Sequence, residues 1–201
     1  RRRLDNPAAR IAELRDHHQK RNAEILTILR GGPRTAYDIA GQMTIPLAAH
    51  LLRSSSGGRG ILLGGSPGIP PAEVAILGAG AVGSAAARTA AAAGARVTVL
   101  DSDPLKLRHL LEHLPAVATA LAESESIARA VAAADVVIGA VLVPGGRAPH
   151  VVTRAMVESM KPGAAILDVS IDQGGCIETS RPTTITQSTF TWHGVTHFCV
   201  P

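Results

Sequence analysis

Six small residues, Gly78-Ala79-Gly80-Ala81-Val82-Gly83, follow directly on the apolar run Val74-Ala75-Ile76-Leu77 and open a stretch of small helix formers, Ala81–Ala93. An acid, Asp101, stands at the end of the next apolar run, at the spacing of about 20 residues at which a glycine-rich phosphate turn is followed by a ribose acceptor. Each glycine has a task that a larger residue would spoil. Gly78 permits the tight turn from strand to helix, Gly80 lets the backbone approach a pyrophosphate, and Gly83 lets the helix pack closely on the sheet. The start of the helix, at Ala81 and Val82, offers unpaired N–H groups and a partial positive charge to phosphates. Asp101 is placed to accept hydrogen bonds from ribose hydroxyls, and its charge opposes a 2′-phosphate. The residues therefore favour NAD over NADP. A glycine turn that binds nothing and a flavin in place of the nicotinamide are the competing readings. Strand, motif, helix, strand and acid in that order weigh against both.

The elements needed to hold such a turn are legible around it. Strands are expected at Glu73–Leu77, Arg96–Leu100, Val117–Leu121, Asp135–Ala140, Ala164–Val169 and Val195–Val200, with helices at Ala81–Ala93, Leu105–Leu114, Ser126–Ala134 and Thr153–Met160. Strand alternating with helix at this spacing predicts an α/β fold, a doubly wound, mostly parallel Rossmann sheet. Ahead of it an N-terminal helical appendage is expected. Asn6-Pro7 reads as a helix entry, Gly31-Gly32-Pro33 as a stop, and Thr35 with Asp38 as a capping box opening a helix to about Met43. A further helix is expected after Pro46, through Leu47–Leu52. Ser54-Ser55-Ser56-Gly57-Gly58 is a loop, which places the boundary between a helical segment, 1–53, and the Rossmann domain, 54–201.

Composition sets the limits. The 201 residues are 46% apolar but only 2% aromatic, so the core is built from Ala, Val, Leu and Ile, as suits a parallel sheet covered on both faces. Residues 1–38 hold nine Lys/Arg and five Asp/Glu, which is the whole of the net charge of +4. Two cysteines make no disulfide framework, and a reduced, cytoplasmic setting is expected. No apolar run is long enough to span a bilayer, and Arg1-Arg2-Arg3 is not followed by the apolar stretch of a signal peptide.

From about Tyr37 to Val200 the chain resembles the cofactor domain of bacterial L-alanine dehydrogenases. The likeness rests on Ile39-Ala40-Gly41, on Gly57-Gly58-Arg59-Gly60-Ile61-Leu62-Leu63-Gly64-Gly65-Ser66-Pro67-Gly68 and on Val99-Leu100-Asp101. It continues through Gly139-Ala140-Val141-Leu142-Val143-Pro144-Gly145, Ile171-Asp172-Gln173-Gly174-Gly175-Cys176 and Ser180-Arg181-Pro182-Thr183-Thr184. The resemblance implies that Asp101 binds ribose with Lys106 near the same adenosine end, that Val141 and Leu142 line the nicotinamide side, and that Ile171 contacts the nicotinamide ribose. Asp172 matches the family's catalytic aspartate. The implied reaction is oxidation of L-alanine to pyruvate and ammonium with NAD, or its reverse. It further needs a clamp for the substrate carboxylate and an acid/base. The family supplies these as an Arg, a Lys and a His from a separate substrate domain, and none of the three matches a position here. NAD binding without turnover is the expectation. Residues 25–40 resemble instead the C-terminal winged-helix piece of metallo-β-lactamase-fold hydrolases, with 1–21 as the preceding helix. Two such likenesses meeting near Tyr37–Gly41 imply a chimera.

Other candidate sites have plainer explanations. His17 and His18 are adjacent and so point apart on a helix, whereas zinc helices place histidines at i and i+4. His193, His197 and Cys199 read better as a strand with Phe198 and Val200 inward than as a tetrahedral site. No metal is expected. Cys176 has no base partner and reads as structural. Asp172 has the alternative role of bonding its own loop, Gln173–Gly175. The basic N-terminus reads as a solvated arm and not a DNA reader, because Leu47-Ala48-Ala49-His50-Leu51-Leu52 is made to pack. Against the NAD-binding class stands a non-enzymatic folded chimera or oligomerisation module. Apolar positions on the first helix also point to self-association.

Overall fold

A computed structural model describes residues 15–16, 19–20, 22–23, 25–27, 35–143 and 146–199. Most of the helix expected from Pro7, and the stop at Gly31-Gly32-Pro33, lie outside the described residues. Thr35 caps the first fully described helix, α1 (Ala36–Leu51). Its hydroxyl accepts from Asp38 N–H at 3.1 Å and the Asp38 carboxylate accepts from Thr35 N–H at 3.2 Å. The two helices expected on either side of Pro46 are one. Pro46 lies on the exposed side, while Ile45, Ala48 and Leu51 hold the buried stripe together across it. Continuous packing outweighs the local break.

After a 3-10 turn at Ser54–Ser56 come β1 (Glu73–Leu77), α2 (Ala81–Ala92), β2 (Arg96–Asp101), α3 (Pro104–His113), β3 (Ala118–Leu121), α4 (Ser124–Ala133) and β4 (Val136–Gly139). Then follow α5 (Arg154–Glu158), β5 (Ala165–Asp168), a 3-10 turn at Ile171–Gln173, β6 (Thr189–Trp192) and β7 (Val195–Phe198). The seven strands lie in the order β3-β2-β1-β4-β5-β7-β6. All pairings are parallel except β6 with β7. This is the doubly wound sheet the sequence predicts. The strand expected at Val195–Val200 is one arm of a hairpin. Its other arm, β6, was not expected, and the two turn at His193-Gly194, both with positive φ (48° and 75°), as a two-residue hairpin with right-handed twist demands.

Alternate residues of the central strands feed two cores. Val74, Ile76, Val136 and Ile138 face α1, α2 and α3, whereas Ala75, Leu77 and Val137 face α4 and α5. Ala86, Ala87 and Ala90 bring α2 close to the sheet, and Gly41 brings α1 close to α2, where a Cβ would overlap the Val82 carbonyl. Ile45, Ala48, Leu51 and Leu52 are therefore part of the same core as the strands. At the foot of the sheet, buried Asp135 ties together Arg59 Nε (2.9 Å), Lys161 Nζ (2.9 Å) and Glu73 N–H (2.8 Å). No described helix is long and apolar enough to cross a membrane.

Candidate cofactor site

The strand order reverses between β1 and β4, and the crevice outside the carboxyl ends of such strands is where this architecture places ligands. The glycine-rich turn stands there. Gly78 has φ of +106°, and a Cβ on it would collide with the Ala140 carbonyl at the end of β4. Its N–H donates to Leu100 O at 2.7 Å, which pins the turn to β2. A Cβ on Gly83 would overlap the Gly78 carbonyl, so only glycine allows this helix-to-strand approach. Gly80 is different: a Cβ there meets nothing within 4 Å. The space is open, and a side chain would fill it. Gly80 is also the N-cap of α2, and no side chain caps that helix. The N–H groups at the start of α2, at Ala81 and Val82, thus border a cleared space at a positive helix end, as a pyrophosphate requires.

Asp101, at the end of β2, is buried. One carboxylate oxygen accepts from Ala79 N–H at 2.7 Å and the other from Asp103 N–H at 2.9 Å. The carboxylate therefore braces the glycine turn from the neighbouring strand, a role its spacing alone does not reveal. Each oxygen retains a lone pair for a ribose hydroxyl. Lys106 Nζ stands 4.0 Å away, on the first turns of α3, and Asp103 caps that helix through Leu105 N–H at 2.9 Å.

On the other side of the crevice, Val141 is half-buried and Leu142 is 58% exposed, while Ile171 is buried in the turn after β5. Val143 N–H donates to Gln173 Oε1 at 3.4 Å and Ala148 N–H to Gln173 O at 3.0 Å, so Gln173, not singled out from sequence, joins the two loops. Asp172 is exposed and has no hydrogen bond or ion pair among the described residues, so it does not tie its own loop. Asp168 does that instead. Its carboxylate accepts from Ser170 N–H and Cys176 N–H, both at 3.1 Å, with Cys176 Sγ 3.7 Å away. Burial raises the Asp168 pKa against the pull of those N–H groups. Burial, with Asp168 beside it, pushes the Cys176 thiol well up, which makes it inert. The absence of side chain at Gly139 makes room for both.

His193, His197 and Cys199 do not converge. His197 is fully buried, Nδ1 donating to Val195 O at 3.1 Å and Nε2 accepting from Thr179 at 2.8 Å. It stacks on Phe190 at 4.7 Å, and Arg181 lies over the other ring at 4.3 Å. Phe198 is half-buried against the core that holds Val74 and Ile76, while Val195, Thr196 and His197 are buried, so both faces of β7 are covered; Val200 lies outside the described residues.

The fold, the cleared turn and the acid after β2 define a dinucleotide-binding domain. The family "Alanine dehydrogenase/PNT, C-terminal domain" matches residues 44–201. The chain belongs to that family and is an NAD-binding domain of the alanine dehydrogenase type. Alanine dehydrogenase of Halomonas elongata is 47% identical over 163 residues, covering 81% of this chain and 44% of that protein. The alanine dehydrogenase of Methanococcus maripaludis is 48% identical over 165 residues, with the same coverage. Among solved structures, an L-alanine dehydrogenase superposes with a TM-score of 0.80 at 46% identity, covering 82% of this chain and 46% of the other. A transhydrogenase from Sinorhizobium meliloti gives 0.67 at 27% identity, covering 84% and 51%. The chain thus spans less than half the length of these alanine dehydrogenases. The family match begins at Thr44. The metallo-β-lactamase likeness of residues 25–40 finds no support in these comparisons, and the seam it implies, Tyr37–Gly41, falls inside the unbroken helix α1.

Proposed function

We propose that these residues form the cofactor half of an alanine dehydrogenase, holding NAD across the carboxyl ends of β1, β2, β4 and β5. The open space at Gly80, with the uncapped start of α2 beside it, is the observation that carries this reading. Gly78, Gly80, Ala81, Val82 and Gly83 take the pyrophosphate. Asp101 takes the adenosine ribose, with Lys106 beside it. Val141 and Leu142 flank the nicotinamide, and Ile171 contacts its ribose. When bound, NAD supplies the hydride acceptor. Asp172, exposed and without a hydrogen bond or ion pair among the described residues, is proposed to act on the substrate side.

The clamp for the substrate carboxylate and the acid/base match no position in these 201 residues. A polypeptide of these residues alone is therefore proposed to bind NAD without oxidising alanine. Exposed Leu142 and Val143 at the rim support a covering partner, either a substrate-side body or a second copy. Calorimetric titration with NAD tests the reading. Absence of binding at millimolar NAD would reject it, and alanine-dependent NADH formation by the 201 residues alone would reject the lack of turnover. Light scattering across protein concentrations tests self-association.

A further inference from the structure

Helix α3 carries a group of side chains that NAD binding does not use. His109, Glu112 and His113 stand at i, i+3 and i+4 and so share one side of the helix, while Leu107 and Leu110 are buried on the other. All three are exposed, and one ligand atom from each lies within 4.8 Å of the others. His109 Nδ1 is 3.6 Å from Glu112 Oε2, and the two imidazole centroids are 4.6 Å apart. A second observation bears on ligation. His113 Nδ1 lies 2.9 Å from the His109 carbonyl. A carbonyl only accepts, so Nδ1 is the donor, and in the neutral ring Nε2 is the nitrogen left to ligate. A ligating imidazole is oriented in the same way, its other ring nitrogen donating to a backbone carbonyl.

We propose that α3 holds an exposed site for a divalent late transition metal, formed by the imidazoles of His109 and His113 and the carboxylate of Glu112, with water completing the shell. Two imidazoles select zinc, copper or nickel, whereas magnesium and calcium prefer oxygen ligands alone. The three side chains are exposed and lie off the core, so rotation toward the usual zinc distance of about 2.0–2.1 Å leaves Leu107 and Leu110 undisturbed. The i, i+4 spacing of His109 and His113 is the one at which helical histidines share a face, unlike the adjacent His17 and His18.

Calorimetric titration of the full 201-residue chain with zinc chloride tests the site, with magnesium chloride as competitor. The unaltered chain is expected to bind zinc through α3, with magnesium failing to compete. His109→Ala and His113→Ala are each expected to weaken the binding by about tenfold or more. The double variant His17→Ala/His18→Ala is expected to leave it in place. No zinc binding, unchanged binding in the His109→Ala/His113→Ala double variant, loss on removing His17 and His18, or displacement by magnesium would each overturn the proposal. Circular dichroism of each variant reports whether α3 stays folded, and exposed positions tolerate alanine.

Discussion

The carboxylate of Asp101 accepts from Ala79 and Asp103 N–H, and it is the group proposed to take the adenosine ribose. Asp101→Ala is expected to weaken NAD by about ten- to a hundredfold, since a charge-assisted hydrogen bond is worth about 1.5–3 kcal/mol. It is also expected to lower the unfolding free energy, because the two N–H groups lose their acceptor. Calorimetry and urea unfolding of the same sample separate the two effects. His197 yields a pH prediction. Burial first, then the Arg181 charge, hold its pKa at about 4, against the Val195 carbonyl that favours the charged ring. An unfolded histidine takes its proton near about 6.5. Between about pH 6.5 and about pH 4 the unfolded chain thus binds a proton the folded chain refuses, and stability falls as pH drops through that window. The loss levels off near about 3 kcal/mol. His197→Phe, which keeps a ring against Phe190, is expected to show a smaller difference in urea midpoint between about pH 7 and about pH 4.5 than the unaltered chain. An equal difference would discard the assignment.

At the scale of elements, the contact between α2 and β1 depends on what Gly83 lacks. Gly83→Ala drives a methyl into the Gly78 carbonyl, so either the helix or the turn must move. A loss of about 1–3 kcal/mol is expected from such overpacking. NAD binding should weaken with it, as thermal unfolding with and without NAD would reveal. Asp135→Ala leaves Arg59 and Lys161 without their buried partner and is expected to cost about 3 kcal/mol with no change in NAD affinity, because it acts at the opposite end of the strands. Chemical denaturation and calorimetry check the pair of outcomes. The element reading succeeded where local pattern and tertiary environment agree: the glycine turn, β1 to β5 and Asp101 at the end of β2 were all legible. It failed where they compete. Pro46 signals a break that the buried stripe of α1 overrides. Thr189–Trp192 carries no continuous apolar run, and its strand signal lies in the alternation Thr-Phe-Thr-Trp ahead of the His193-Gly194 turn. The bracing by Asp101 and Gln173 depends on backbone groups brought from beside other strands, which no spacing encodes, whereas Asp168 holds N–H groups of the loop that follows it.

For the whole molecule, a ligand that binds only the folded state adds stability by mass action. NAD at a hundred times its dissociation constant is expected to add about 2.7 kcal/mol, seen as a rise in the unfolding midpoint. AMP, which reaches Asp101 but not Val141 or Ile171, is expected to give a smaller rise at equal concentration. Equal rises would mean that the β4 and β5 loops take no part.

The strand order has a further consequence, in the making of the chain. β1 sits between β2 and β4, and the register Val74↔Val136 to Leu77↔Gly139 joins segments far apart in sequence. On a ribosome adding about 5–20 residues per second, β1 waits about 3–12 seconds for its second neighbour. Through that interval one edge of the strand Glu73–Leu77, the very strand that carries the glycine turn, is open to pairing with any other chain. Its neighbours on either side, Ala72 and Gly78, offer no charge to discourage that, and only Glu73 does. Slowing synthesis between β1 and β4 should therefore raise the aggregated fraction, while slowing it after β4 should not.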